Sequence, residues 1–157
     1  MPSHNIKQLK PNRNGRTRQG YINPNQCHRL FESQKNTPII YRSSWEFRFA
    51  QWCETSPNVK HWGSECVPIE YTLISDNTTH TYYPDYIVEL NNGECWLVEI
   101  KPFAQTQQPR CPYDSNSGEW KTYIKNYCKW KAAKDFANRN GLKFKILTEH
   151  TIEKLGY

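Results

Sequence analysis

The chain of 157 residues has the length of a single domain. Only 36% of its residues are hydrophobic but 14% are aromatic, so large rings must supply much of the area buried in its core. The sequence holds no apolar run of about 18 residues, the length of a membrane-spanning helix, and it begins without the apolar stretch of a secretory signal. We therefore expect a soluble, intracellular protein with no membrane partner.

Positive charge is concentrated at the N-terminus. The formal net charge is +6, yet residues 1–42 carry eight Lys or Arg against one acid, Glu32. Residues 1–36 are rich in Asn, Gln, Gly and Pro and show no periodicity, which favours a basic, largely irregular arm. Such an arm is typical of a protein that binds DNA, although a solvated tail is the alternative. Its DNA-binding candidates are Lys7, Lys10, Arg13, Arg16, Arg18 and Arg29.

A helix is expected to follow the arm. Ser43 and Glu46 have the spacing of a capping box, with Ser43 as the N-cap. The apolar residues after them recur at helical spacing, and Pro57 ends the pattern. These apolar positions are Trp45, Phe49, Trp52 and Cys53.

Strands and a second helix make up the rest of the predicted domain. Strands are predicted over residues 67–74, 79–90 and 94–101, with turns at Asp76-Asn77 and at residues 91–93, and a long irregular loop over residues 102–118. A helix over residues 119–140 ends at Gly141, and a strand over 142–147 precedes a helical turn over 149–155. The pattern predicts one mixed α/β domain over residues 37–157, with a central sheet flanked by helices. The side of the long helix expected to pack comprises Tyr123, Tyr127, Trp130, Lys134 and Ala137.

The hairpin at residues 91–93 brings two carboxylates together. If Leu90 lies opposite Glu94, then Asp85 lies opposite Glu99. Because side chains alternate along a strand, Lys101 lies on the same face as Glu99, whereas Trp96, Val98 and Ile100 point into the core.

This constellation suits hydrolysis of a phosphodiester. Opposed carboxylates repel each other, and a divalent ion with oxygen ligands such as Mg²⁺ relieves the repulsion. Lys101 could then orient or deprotonate a water, or offset charge on a phosphate. The alternative is a plain ion pair of Glu99 with Lys101 on a solvated face of the sheet.

A third carboxylate is open to two interpretations. The capping box fully accounts for Glu46, but a helix packed beside the hairpin would add its carboxylate to the metal site. Glu65 and Glu70 are weaker candidates for the same role.

Glu46, Pro84-Asp85 and Glu99-Ile100-Lys101 together resemble the layout of the PD-(D/E)-x-K nuclease superfamily. Residues 38–157 are similar, in order, to the head-completion (neck) proteins of myovirus-type tailed bacteriophages, and the motif alone is similar to the catalytic domain of the TnsA transposon endonuclease. The matching segments are Tyr41-Arg42-Ser43-Ser44-Trp45-Glu46, Trp62-Gly63-Ser64-Glu65, Glu99-Ile100-Lys101-Pro102, Lys129-Trp130-Lys131-Ala132-Ala133 and Phe144-Lys145-Ile146-Leu147-Thr148-Glu149.

The resemblance implies a restriction-endonuclease-like fold and a set of site residues. Metal ligands fall on Asp85 and Glu99, with the backbone carbonyl of Ile100 as a further ligand. Lys101 falls on the catalytic lysine, and Glu46 on the helical carboxylate. Mg²⁺ is the expected cofactor, with Mn²⁺ able to substitute, and no small-molecule cofactor is expected.

DNA is the expected partner, and little sequence specificity is anticipated. Lys121, Lys125 and Lys129 recur every four residues along one helix face and could contact a phosphate backbone or form a solvated face. The leading hypothesis is a Mg²⁺-dependent DNA endonuclease that acts as a phage head-completion protein, in contact with portal or neck proteins. Such a protein works in the host cytoplasm and can remain in the virion. The alternatives are a non-catalytic neck protein that binds DNA, and an endonuclease for transposon ends.

Overall fold

A mixed four-stranded sheet lies at the centre of the computed structural model, which describes residues 3–4 and 19–155. Its strand order is β4-β7-β8-β9, in which β9 runs parallel to β8 and the other neighbours are antiparallel. Two small sheets, β1-β2-β3 and β5-β6, accompany it. The described strands are β1 (Ser3–His4), β2 (Gly20–Ile22), β3 (Ile39–Tyr41), β4 (Val59–Ser64), β5 (Ile69–Leu73), β6 (Thr78–Tyr82), β7 (Tyr86–Leu90), β8 (Cys95–Ile100) and β9 (Lys143–Leu147).

Three α-helices accompany these strands: α1 (Ser44–Thr55), α2 (Gly118–Arg139) and α3 (Glu149–Ile152). Short 3-10 turns span Pro24–Gln26, Glu32–Gln34 and Phe103–Thr106. No helix in the described part of the chain is both long and apolar enough to cross a membrane.

Both faces of the central sheet are covered. On one face, α1 packs through Phe47 and Phe49 against Val98 and Ile100 of β8. On the other face, a second cluster joins Leu97 of β8 to α2 and to the β5-β6 sheet. The predicted α/β class, with a central mixed sheet flanked by helices, is confirmed.

Helix α1 begins as predicted. The hydroxyl of Ser43 accepts a hydrogen bond from the Glu46 N–H at 3.1 Å, which satisfies one free donor of the first turn. The helix ends at Thr55 because Pro57 follows closely and cannot continue it. Phe49 and Cys53 are buried, and Trp45 and Trp52 pack at the edge of the same cluster.

The predicted strand over residues 79–90 is in fact two strands in different sheets. β6 pairs with β5, whereas β7 pairs with β4 and β8, and residues 83–85 connect them outside any strand. Pro84 in this connection lacks the N–H that a continuous ladder requires. Strand β4 was not predicted, because Gly63 interrupts the alternation of apolar and polar residues along it.

The buried side of α2 differs from the predicted one. Tyr127 is 52% exposed and Lys134 is exposed, although Ala137 is buried as expected. The helix ends as predicted, since Gly141 has a φ of 70° and Leu142 donates to the carbonyl of Ala137. The residues buried in α2 are Trp120, Asn126, Cys128, Ala133 and Ala137.

Residues 20–36 belong to the folded body, not to the predicted irregular arm. β2 pairs with β3, and the side chains of Ile22, Cys27 and Leu30 are buried in the core. Leu30 also forms a bridge with Trp62 of β4. These long-range contacts carry no periodic signal in the sequence, so composition alone could not reveal them. The DNA-binding candidates Lys7, Lys10, Arg13, Arg16 and Arg18 lie outside the described residues.

Candidate active site

The register of the β7-β8 hairpin is the one predicted. Tyr86 pairs with Val98 and Val88 with Trp96, and Leu90 donates to the carbonyl of Glu94 across a turn in which Gly93 has a φ of 92°. Continuing this register by one pair brings Asp85, just before β7, beside Glu99. The two carboxyls lie close enough for the charge of Glu99 to raise the pKa of Asp85.

Asp85 is held at the end of the hairpin by the backbone of β8. Its Oδ2 accepts a hydrogen bond from the Ile100 N–H at 2.7 Å. Burial raises the pKa of the Asp85 carboxyl well above its usual range, and the neighbouring carboxylates of Glu99 and Glu46 raise it further. The hydrogen bond from Ile100 opposes this change without cancelling it. The site therefore favours either a proton or a cation next to Asp85.

Glu99 is enclosed by α2. It is only 5% exposed, and Trp130 donates its indole N–H to Oε2 of Glu99 at 3.2 Å. Within the described residues Glu99 forms no ion pair with Lys101. A plain ion pair on a solvated face does not fit these observations.

The side chain of Glu46 binds the backbone one residue before the N-cap, in place of the Ser43 N–H expected for a capping box, and lies near the other carboxylates. Its Oε2 accepts a hydrogen bond from the Arg42 N–H at 3.0 Å, and its backbone carbonyl accepts one from the Tyr86 hydroxyl at 2.9 Å. Because Tyr86 is buried in the core, that bond ties the start of α1 to β7 beside Asp85. Burial raises the pKa of Glu46, and the hydrogen bond from Arg42 opposes the shift.

Two lysines reach the same cleft from different elements. Lys101 directly follows β8 and is held there by its N–H, which donates to Leu147 at 3.0 Å. Lys129 approaches from α2, with its Nζ 5.4 Å from the centre of the Tyr82 ring. Burial lowers the pKa of Lys129, and the charge of Lys125 lowers it further.

The cleft is open and holds about 540 Å³. Sequence reasoning missed four of its lining residues, because one comes from the turn before α1 and the others from the end of β6 and the connection after it. These four residues are Arg42, Thr81, Tyr82 and Tyr83. Glu65 also lines it, whereas Glu70 is exposed on β5. The lining residues are Arg42, Glu46, Glu65, Thr81, Tyr82, Tyr83, Asp85, Glu99, Ile100, Lys101 and Lys129.

Three predicted DNA-binding residues lie outside the lining of this cleft. Lys121 and Lys125 are exposed on α2, about two turns and one turn before Lys129, respectively. The Arg29 guanidinium donates to the backbone carbonyl of Ser56, so it has a structural partner within the fold.

The oxygen donors of the cleft suit a hard divalent cation. Asp85 and Glu99 offer carboxylate oxygens, and Ile100 turns its N–H, and therefore also its carbonyl, toward Asp85 because both groups of a strand residue face the same side. In the described part of the chain, no three His, Cys, Asp or Glu side chains form a ready metal-binding cluster. Two carboxylates with a carbonyl and waters are nevertheless an ordinary ligand set for Mg²⁺.

Comparison with known proteins identifies the family of this chain. A family model described as TnsA-like endonuclease N terminal matches residues 56–149. The chain belongs to the TnsA-like endonuclease family. The matched region contains Asp85, Glu99, Lys101 and Lys129 but begins after Glu46.

A named relative adds a second comparison. The chain is 34% identical over 126 residues to the head completion nuclease of Enterobacteria phage T4, and the match covers 76% of this chain and 84% of that protein. The resemblance found in the sequence motifs is therefore confirmed, as is the restriction-endonuclease-like fold class of the TnsA-like family.

Proposed function

We propose that this protein is a metal-dependent DNA endonuclease that acts in phage head completion. The observation that carries the proposal is the placement of Asp85, Glu99 and Lys101 together in one open cleft. Membership of the endonuclease family supports the activity, and the name of the phage T4 relative supports the role in head completion.

Asp85, Glu99 and the carbonyl of Ile100 would hold the metal. A bound Mg²⁺ or Mn²⁺ supplies positive charge against the phosphate and lowers the pKa of a water ligand. Asp85 is aimed by the Ile100 N–H, and Glu99 by the indole of Trp130. Glu46 adds negative charge near this pair from α1, as a further ligand or through its effect on Asp85.

Lys101 supplies the cation that the phosphodiester needs. Its N–H is bonded to β9, which fixes the start of its side chain. As an ammonium the side chain can orient the attacking water or offset charge on the phosphate, and as a neutral amine it can accept a proton from that water. Lys129 binds the substrate backbone from α2. Contacts of this kind carry no sequence information, so we expect little sequence specificity.

The name of the phage T4 relative supports a setting in phage assembly. The protein would trim or cut packaged DNA in the host cell before tails join, in contact with portal or neck proteins, and could remain in the virion. The basic residues between Lys7 and Arg18 would add non-specific affinity for DNA.

Incubation of supercoiled plasmid with the protein tests the activity. Cleavage is expected with Mg²⁺ or Mn²⁺ and not with EDTA. Lys101→Met should reduce the cleavage rate by about 100-fold or more, because it removes a charge that acts on the transition state. Lys131→Met is the matched control, since Lys131 is exposed on α2 outside the cleft, and it should cut at the wild-type rate.

Equal cleavage by the Lys101→Met and Lys131→Met variants would contradict the assignment of Lys101. Intact plasmid with every metal would leave the protein as a non-catalytic neck component. Phage carrying Lys101→Met should accumulate filled heads without tails, which distinguishes a role of the nuclease in head completion from an activity used elsewhere.

A further inference from the structure

Arg42 lines the cleft, but its side chain is directed at a carboxylate that has no role in the proposed chemistry. The guanidinium contacts Glu65 through both terminal nitrogens, with Nη2 at 3.4 Å from Oε2. Both residues border the cleft that contains Asp85 and Glu99. The Arg42 guanidinium is therefore held in place beside the proposed catalytic carboxylates.

The backbones of this pair are fixed, whereas their side chains are open to solvent. The Arg42 N–H donates to Glu46 at 3.0 Å, and the Glu65 N–H donates to the Asp85 carbonyl at 3.0 Å. Glu65 is held there with a φ of 49°, which is uncommon for a residue other than glycine. The Arg42 and Glu65 side chains are 49% and 31% exposed, so they can separate without disturbing the core.

A DNA phosphate can compete with this ion pair. An exposed ion pair contributes only about 0–1 kcal/mol to stability, because solvent screens it and ordering two long side chains opposes it. The planar guanidinium binds a phosphate through the same two-pronged geometry that it uses for a carboxylate. If a DNA phosphate replaced Glu65 as the partner of Arg42, the guanidinium would have an anionic partner both before and after DNA binds.

We propose that Arg42 is a phosphate-binding residue of the cleft and that Glu65 holds its guanidinium until DNA displaces it. The inference rests on the proposed function and adds a substrate contact to it. Arg42 reaches the DNA strand from the turn before α1 and Lys129 reaches it from α2, so the two cations contact the DNA backbone from different elements of the cleft. Glu65 acts through Arg42 as a positioning residue and lowers the affinity for DNA.

Binding of a fluorescein-labelled DNA duplex, measured by anisotropy in EDTA, tests this proposal without cleavage. Arg42→Gln should weaken binding about 10-fold and lower the salt slope by about one. Glu65→Gln should strengthen binding by up to about 5-fold, the equivalent of an exposed ion pair. In the double variant the gain from Glu65→Gln should vanish, because the arginine that it releases is absent.

Two charge-matched controls separate this site from general electrostatics. Arg139→Gln and Glu70→Gln change exposed residues outside the cleft, so their effects on affinity should be much smaller. If Arg42→Gln binds like Arg139→Gln, or if Glu65→Gln weakens binding, the proposal is wrong. A tighter Glu65→Gln variant that stays tighter without Arg42 would also contradict it.

The failure of this inference can be told apart from failure of the proposed function. A wild-type protein that neither binds nor cuts DNA would remove both. A wild-type protein that binds and cuts, combined with Arg42→Gln and Glu65→Gln variants that lower the melting temperature but not the affinity, would reduce the pair to a structural ion pair.

Discussion

At the scale of single residues, the carboxyl of Asp85 lies in an electrostatically unfavourable environment. It is partly buried among other acids, and the Ile100 N–H donates a hydrogen bond to it. Burying a charge in this way lowers stability unless a counter-charge is supplied. The carboxyls around Asp85 therefore repel one another at an electrostatic cost, which a cation bound between them would relieve.

Asp85→Asn should therefore stabilise the protein in EDTA at pH 8, because the amide oxygen still accepts from Ile100 and no charge is buried. The folded pKa of Asp85 lies above its unfolded value, so the carboxyl stabilises the fold below about pH 4 and this stability is lost as pH rises toward the folded pKa. The melting temperature should exceed that of wild type by roughly 2–4 °C for each kcal/mol relieved.

The pH dependence of this difference is the decisive measurement. The gap in melting temperature between Asp85→Asn and wild type should shrink as the pH is lowered from 8 to 4. Asp135→Asn is the matched control on the exposed side of α2 and should show no such trend. A variant at Asp85 that is less stable than wild type at pH 8 would mean that its charge is already compensated.

At the scale of elements, strand β4 joins the central sheet to the segment of residues 29–34. Trp62 exchanges backbone hydrogen bonds with this segment, and Ser64 donates to the Gln34 side chain at 2.8 Å. Gly63 lies between Trp62 and Ser64, at a position where a side chain would contact neighbouring atoms too closely. A Cβ there would lie 3.0 Å from the Cys66 sulfur and 3.2 Å from the Phe31 ring.

Gly63→Ala should consequently destabilise the fold by about 1 kcal/mol, since the Cys66 sulfur and the Phe31 ring must move to admit the methyl group. Urea unfolding measures this as a lower midpoint. Gly118→Ala is the control, because a Cβ there meets nothing within 4 Å at the first residue of α2, and it should be neutral or stabilising. Equal midpoints for the two variants would show that β4 tolerates the added volume.

At the scale of the whole molecule, the N-terminal segment carries both positive charge and folded structure. Ile22, Cys27 and Leu30 pack in the core, so removal of residues 1–36 would take away folded structure together with charge. The five basic residues from Lys7 to Arg18 can instead be replaced without shortening the chain.

A variant with Gln at Lys7, Lys10, Arg13, Arg16 and Arg18 should bind duplex DNA more weakly than wild type. Its salt slope should fall by up to about 4–5, because each lost phosphate contact removes about 0.9. The melting temperature should not change. A full salt slope in this variant would indicate that the basic residues face a protein partner, and the portal would then be the first candidate to examine.

Local features of this protein could be read from its sequence. Three local features depend on neighbouring residues, and each is present as predicted. They are the cap at Ser43, the turn at residues 91–93 with its β7-β8 register, and the end of α2 at Gly141. The meeting of Asp85 with Glu99 follows from that register. It could be predicted because a short hairpin turn fixes which residues face each other.

Contacts between distant segments could not be predicted in this way. The split of residues 79–90 between two sheets, the burial of Leu30 and the arrival of Arg42 and Lys129 at one cleft depend on how elements pack. Hydrophobic periodicity does not indicate which strands pair with each other, or which helix lines the cleft. The sequence by itself therefore determined the hairpin that carries Asp85 and Glu99, and the lysine that follows it. Only the tertiary structure decided which further cations surround these carboxylates, because those cations are placed by packing between segments far apart in the chain.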